Sequence, residues 1–191
     1  MKTISWKEFT AARKYTALES AVTVGVFDGV HIGHQKLLDR ILEKKGLESV
    51  IVTFLENPSR LFHPRGYLGN VSTLGQKLTY FEGHGAGMVI LIDFSPDFSK
   101  LTGRSFIRLI SENLGLRYLA VGKNFHCGRD NDTNAFDIKA MLEELKIGVD
   151  IIEPVCFKGE RVSSTRIRQE LLRGNVQDVR DLLGKPYALD L

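Results

Sequence analysis

Ala21–Leu42, AVTVGVFDGVHIGHQKLLDRIL, decides the fold. Residues 21–27 carry no charge and are rich in Val, the signature of a strand buried on both faces. Asp28-Gly29 and Gly33 follow, residues that let a backbone turn sharply. From about His34 onward, Leu37, Leu38, Ile41 and Leu42 recur at three- and four-residue spacing, which predicts an amphipathic helix. Strand, glycine-bearing turn and helix make half of a βαβ unit. The turn lies at the carboxyl end of its strand, where open α/β sheets bind ligands. The free N–H groups and the positive dipole end of the helix suit a phosphate there.

Two histidines set this turn apart. His31 and His34 straddle the helix start three positions apart, so both rings can reach one anion, and Gly33 between them leaves the backbone open to close approach. The spacing also suits a metal, but the turn lacks the further Cys or His that a zinc site needs, and no metal site is expected.

The remainder of the chain repeats the pattern. Ser49–Phe54 (SVIVTF) reads as a second buried strand, after which Pro58 forces a loop. Ser72 is placed to cap a helix bearing Leu74, Leu78 and Phe81, which stops in the glycines of 83–87. Met88–Phe94 is a third strand, with a Ser-Pro-Asp turn at 95–97. Thr102–Leu114 is a helix with Phe106, Ile107, Ile110 and Leu114 on one face. Arg117–Gly122 is a fourth strand leading into a polar loop, KNFHCGRDNDTN. A helix over Phe136–Leu145 turns Ile138, Met141, Leu142 and Leu145 inward. Val149–Phe157 is a fifth strand broken by Pro154, and Ser163–Leu172 and Val176–Leu183 are closing helices. Residues 1–20, with scattered Ile4, Trp6, Phe9 and Leu18, fit a strand or short helix covering a sheet edge. This alternation predicts one α/β domain over residues 1–191, a Rossmann-like, doubly wound, five-stranded parallel sheet with helices on both faces.

Composition narrows the function classes. A hydrophobic fraction of 43% with 26% charged residues fits an ordinary globular core over 191 residues. The net charge of +3 comes without any run of five basic residues, so no nucleic-acid or membrane partner is indicated. Cys127 and Cys156 form no CxxC pattern, and the N-terminus has no signal-peptide core. No apolar run approaches the ~20 residues of a membrane span. A cytoplasmic location is expected. Nothing in the sequence sets the oligomeric state.

A second phosphate signal is Val162–Arg168, VSSTRIR. Ser163, Ser164 and Thr165 open a helix whose apolar stripe is Ile167, Leu171 and Leu172. Hydroxyls and free N–H groups at such a start, with Arg166 and Arg168 close by, can cradle phosphate.

GVFDGVHIGHQ and SSTRIR together resemble the two signatures of the nucleotidylyltransferases, and the FDGVHxGHQ form is similar to the adenylyltransferase module of bacterial FAD synthetases. The resemblance extends to TFLENPSRLF (residues 53–62), similar to the family's flavin loop after the second strand. It extends also to VGKNFHCGRD (121–130), which departs from the family's loop at Cys127, where an aromatic is usual. LLGKPYAL (182–189) is similar to the segment that follows the module.

The resemblance implies an FMN adenylyltransferase that moves AMP from ATP to FMN. His31, His34 and Arg168 would be catalytic. Gly25, Val26, Phe27, Asp28, Gly33, Ser163, Ser164, Thr165, Arg166 and Arg168 would bind ATP. Thr53, Phe54, Asn57, Pro58, Phe62, Asn124, Phe125 and Asp130 would border the flavin. ATP and FMN are the implied substrates, with Mg²⁺ carried by phosphate and water. Other phosphorylated acceptors (phosphopantetheine, nicotinamide mononucleotide, glycerol 3-phosphate) and a non-catalytic flavin- or nucleotide-binding regulator stay open. No GRxLGFPTAN-like stretch of a riboflavin kinase module is present, so a stand-alone enzyme and one module of a longer chain both fit.

Overall fold

The carboxyl ends of two adjacent strands, at Val24 and Gly122, mark the centre of the molecule, because the order of strands reverses between them. The computed structural model describes residues 1–11, 19–62 and 64–189. In chain order the elements are β1 (Lys2–Ser5), α1 (Trp6–Ala11), β2 (Ser20–Val24), α2 (Ile32–Leu42), β3 (Glu48–Phe54), α3 (Pro58–Phe62) and α4 (Leu74–Gly83). They continue with β4 (Met88–Ile92), α5 (Pro96–Ser99), α6 (Gly103–Leu114), β5 (Leu116–Gly122), β6 (His126–Cys127), β7 (Thr133–Asn134) and α7 (Ala135–Glu143). Last come β8 (Gly148–Ile152), β9 (Cys156–Phe157), β10 (Glu160–Arg161), α8 (Ser164–Leu172) and α9 (Val176–Leu183). Short 3-10 turns stand at Asp28–Val30 and Arg129–Asn131.

The main sheet is parallel throughout, in the order β1-β4-β3-β2-β5-β8. From β2 the chain moves outward through β3 and β4, then returns to the other side of β2 as β5 and β8. The switch between β2 and β5 opens a crevice at their carboxyl ends. Strand periodicity divides the core in two. Val22, Val24, Val50, Val52, Ile90, Ile92, Leu119 and Val121 face a layer containing α1, α6 and α7. Ala21, Ile51, Val89, Tyr118 and Ala120 face α2 and α4, through Leu37, Leu38, Ile41 and Phe81. A third cluster, around Ile167, Val179, Leu182 and Leu183, joins α8 and α9 to Val71 and Val162.

Several expectations are corrected. Among the described residues the sheet has six strands, because Lys2–Ser5 pairs with β4 at the edge. With Ile4 its only buried side chain, β1 shows no apolar run to read. Both forms expected of the N-terminus occur, while residues 12–18, Leu18 among them, lie outside the described residues. β2 stops at Val24, three residues earlier than expected, and β4 stops at Ile92. Pro58 opens α3, its fixed φ serving a helix start. The turn at 95–97 becomes α5, capped by the Ser95 side chain.

Thr73, not Ser72, caps α4, in a reciprocal box with Gln76; Ser72 Oγ instead accepts from the Gly29 N–H at 2.9 Å. The loop after β5 folds into a β6–β7 hairpin. Beyond β8 the chain passes Pro154 into a second hairpin, β9–β10, instead of prolonging the strand. Leu145 and Leu172 are 60% and 73% exposed, since Leu145 lies past the end of α7 and Leu172 closes α8 on its outer side.

Candidate active site

Beyond Val24 the backbone leaves the sheet through Gly25–Phe27 and reverses at Phe27, which takes the left-handed region at φ 53°. The Phe27 ring is fully buried, edge-to-face with Phe81 at 5.8 Å and with His34 at 5.2 Å. That anchorage stabilises a conformation that is strained for an aromatic residue. Gly29, at φ 79°, has no room for a side chain: a Cβ would stand 2.7 Å from Val71 Cγ1.

His31 is the N-cap of α2, and its Nδ1 accepts from the His34 N–H at 3.3 Å. The two imidazoles stack, centroids 3.6 Å apart and 15° from parallel. A Cβ at Gly33 would lie 3.2 Å from the His31 ring, which explains the glycine between them. Burial pushes the His31 imidazole down to about 4, helped by the Arg161 cation. His34 is held well below the ordinary histidine range by burial, then by His31 and Lys77. Both rings are therefore neutral at neutral pH and present nitrogen donors or acceptors, not cations. His34 Nδ1 is buried without a hydrogen-bond partner.

The second helix start comes to the first. Ser164 Oγ donates to the Asp28 carbonyl at 2.9 Å, while Ser163 caps α8 by accepting from the Arg166 N–H at 3.2 Å. The Arg168 guanidinium donates to the Gly69 carbonyl at 2.6 Å and pairs closely with the Asp28 carboxylate. The other oxygen of Asp28 accepts from the Val71 and Ser72 N–H groups at 2.8 and 3.1 Å. Burial raises the Asp28 carboxyl above the usual range, and the Ser72 N–H, Arg168, the Val71 N–H and Lys77 each pull it back.

Two hollows open along the β2–β5 switch. The first, about 420 Å³, is lined by Gly25, Val26, Phe27, Asp28, His31, Gly33 and His34 on one side. Ser163, Ser164, Thr165, Arg168 and Arg161 line the other. The second, about 640 Å³, holds Phe54, Pro58, Phe62, Phe94, Phe98 and Phe106, with Asp130 at its hairpin edge. Val24, Gly25, Val26, Ser59, Asn124 and Phe125 border both, so the hollows are continuous over the ends of β2 and β5.

Three expected site residues stand elsewhere. Thr53 is fully buried beneath the crossing, where its hydroxyl donates to the Val26 carbonyl at 3.1 Å. Asn57 borders the first hollow rather than the aromatic one, and its Oδ1 accepts from the Ser59 N–H at 3.1 Å. Arg166 turns away from both and donates to the carbonyls of Phe157 and Glu160, each at 2.9 Å.

Sequence reasoning missed Lys77, which reaches from α4 to the crossing. It missed Arg161 too, on a hairpin too short to show in the residue pattern. Of the missed aromatics, Phe94 ended an expected strand and Phe98 followed an expected turn, so only the fold reveals that they stand opposite Phe54. Among the described residues no group of three or more His, Cys, Asp or Glu side chains is arranged to hold a metal ion.

A family model described as FAD synthetase matches residues 14–166. The chain belongs to the FAD synthetase family. A curated member of that FAD synthetase family, a bifunctional riboflavin kinase/FMN adenylyltransferase of Escherichia coli (strain K12), is 31% identical over 172 residues. That match covers 88% of this chain and 55% of the relative. The chain thus spans about half the length of the bifunctional relatives it matches. A FAD synthetase of Listeria monocytogenes is 27% identical over 187 residues, 94% of this chain and 74% of that one.

Among solved structures, a macrolide-efflux protein from Streptococcus pneumoniae superposes with a TM-score of 0.82 at 29% identity. It covers 98% of this chain and 61% of that chain. No helix among the described residues of the present family member is long and apolar enough to cross a membrane.

Proposed function

We propose that this chain is an FMN adenylyltransferase, a cytoplasmic module that joins AMP from ATP to FMN and releases FAD and pyrophosphate. One observation carries the reading: a hollow lined by imidazoles, hydroxyls and two arginines runs directly into one walled by phenylalanines, across a border that the two share at Val24, Gly25, Val26, Ser59, Asn124 and Phe125. A triphosphate suits the first and an isoalloxazine the second. The phenylalanine walls favour a flavin over phosphopantetheine, nicotinamide mononucleotide or glycerol 3-phosphate as acceptor. The hollows are sites for small molecules, and neither nucleic acid nor membrane is assigned a part.

In this reading an oxygen of the FMN phosphate attacks the α-phosphorus of ATP. The bond from that phosphorus to the bridging β-oxygen breaks, and its electron pair leaves with pyrophosphate. The attacking phosphate is already ionised near neutral pH, so the chain supplies position and charge compensation instead of a base. His31 and His34 donate to the non-bridging oxygens of the α-phosphate. Ser163, Ser164, Thr165 and Arg168 hold the β- and γ-phosphates, and Gly25–Phe27 border the adenosine. Phe54, Pro58, Phe62, Phe125 and Asp130 enclose the flavin, with Asn124 at the crossing.

Mg²⁺ is assigned to the nucleotide, where it would neutralise phosphate charge. Of the two carboxylates that line the first hollow, Asp28 already receives two N–H groups and Arg168, and Glu153 pairs with Lys123 at 2.9 Å, so the donor set does not fit a protein-held ion. No step is routed through the ion.

The test is an incubation of the protein with ATP, Mg²⁺ and FMN, followed by chromatography for FAD and an assay for pyrophosphate. Both products are expected in equal amounts. Pyrophosphate formed only with another phosphorylated acceptor would overturn the choice of flavin. Flavin binding without either product would point to a regulator.

A further inference from the structure

The floor shared by the two hollows is held from below by one buried cation. Lys77 stands on α4, only 7% exposed, and its Nζ donates to the Val26 carbonyl at 3.1 Å, the Thr53 hydroxyl at 3.2 Å and the Phe54 carbonyl at 3.2 Å. An ammonium has three donors, and here all three are spent on groups at the ends of β2 and β3. Val26 borders both hollows and Phe54 the aromatic one. The Thr53 hydroxyl donates in turn to Val26, closing a small network under the crossing.

We infer that Lys77 is a positioning residue, whose ammonium ties the Val26 and Phe54 carbonyls together and so fixes the distance between bound nucleotide and bound flavin. The inference rests on the adenylyl-transfer reading. A lysine this buried loses the hydration of its charge, a cost that a salt bridge usually offsets. Lys77 has carbonyls and a hydroxyl instead, so its placement trades stability for geometry. That geometry matters because a displacement of about 1 Å between reacting groups costs on the order of 10² in rate.

The network is titratable. Burial brings the Lys77 ammonium down to about 8, against the pull of the Asp28 carboxylate. The charged or titratable groups facing it are Asp28 from the turn, with Arg168 of α8 paired to that carboxylate, and His34 from α2, which is neutral in this range. Above pH 8 the amine keeps two donors for three acceptors, and the tie loosens.

The experiment compares wild type with Lys77→Met, which keeps an unbranched side chain one atom shorter and removes the donors. ATP binding is read by calorimetry, FMN binding by fluorescence quenching, and turnover with both substrates saturating across pH 6.5–9.5. Expected are affinities for each single substrate within about threefold of wild type and a kcat reduced about 10²-fold. Wild-type kcat should step down as pH rises through 8, a step absent from the variant.

Equal loss of both affinities and kcat, in proportion to unfolded protein, would mark Lys77 as merely structural and overturn the inference. So would wild-type turnover in the variant, or a wild-type profile flat to pH 9.5. If Lys77→Met does not fold, Lys77→Gln, which keeps two donors, carries the same comparison. Failure of the wild type to make FAD would instead remove the adenylyl-transfer reading itself.

Discussion

Asp28 and Arg168, separated by 140 positions in the chain, form an ion pair with side chains only 5% and 15% exposed. The pair closes the first hollow by locking the start of α8 to the turn after β2, and it holds the Gly69–Ser72 strand of loop through Arg168 and Asp28 together. Removing one partner leaves a buried charge uncompensated, which costs about 3–5 kcal/mol. Arg168→Met should therefore lower unfolding free energy by roughly 3 kcal/mol in urea titration, and adding Asp28→Asn should recover part of that loss. A loss under about 1 kcal/mol would show that the pair does not hold the turn.

Stability should fall in acid because of the stacked histidines. An unfolded histidine titrates near 6.5, whereas burial holds His31 at about 4. Between those values the unfolded chain binds more protons than the folded one, so stability rises with pH across that window. It is complete above 6.5 and is lost as pH falls toward 4. His31 alone accounts for roughly 3 kcal/mol, and His34 acts in the same direction. Denaturant titrations at pH 4.5 and 7 check this, and His31→Gln should flatten the difference.

Turnover should depend on His34 far more than stability does. In the proposed mechanism its imidazole meets charge developing on the α-phosphate, so His34→Ala should lower kcat ~10²-fold. Steady-state kinetics beside a melting curve would separate the two effects, and near-normal kcat would remove His34 from the mechanism.

Phe62 offers a clean probe of the acceptor side. It is 57% exposed, at 5.1 Å and 90° to Phe94 on the rim of the aromatic hollow. Loss of one stacking face is worth about 1 kcal/mol. Phe62→Ala should raise the KM for FMN about fivefold to tenfold while leaving the KM for ATP and the melting point near wild type. A rise in the ATP value instead would reassign the hollow.

The elements that carry the fold were legible because parallel strands buried on both faces are nearly continuous apolar runs, as at 21–24, 50–54, 88–92 and 118–121, where Thr23 and Thr53 are the polar exceptions. The helix faces of α2 and α6 followed from spacing. What escaped reading shares a cause: contacts between distant segments. Lys77 stands four positions before Phe81 on the buried side of α4, but lysine is a residue type that normally reaches water, and only the meeting of β2 and β3 gives its ammonium partners there. Arg166 and Arg168 sit two apart in one helix, so one enters the hollow while the other turns to the β9–β10 hairpin. Thr53 and Asn57 flank the end of β3, where Val26 and Lys77 hold the first under the crossing and the second borders the first hollow. Ser72 and Thr73 are equally good caps by type; the Gly29 N–H decides between them.

The uninterrupted floor at Gly25 and Val26 bears on how catalysis ends as well as how it begins. A molecule built from a flavin and an adenosine linked by two phosphates would rest in both hollows at once, each half raising the effective concentration of the other. FAD should accordingly hold on more tightly than FMN or ATP alone. Under the proposed activity its departure would be the slow event of the cycle, and accumulating FAD would slow its own synthesis.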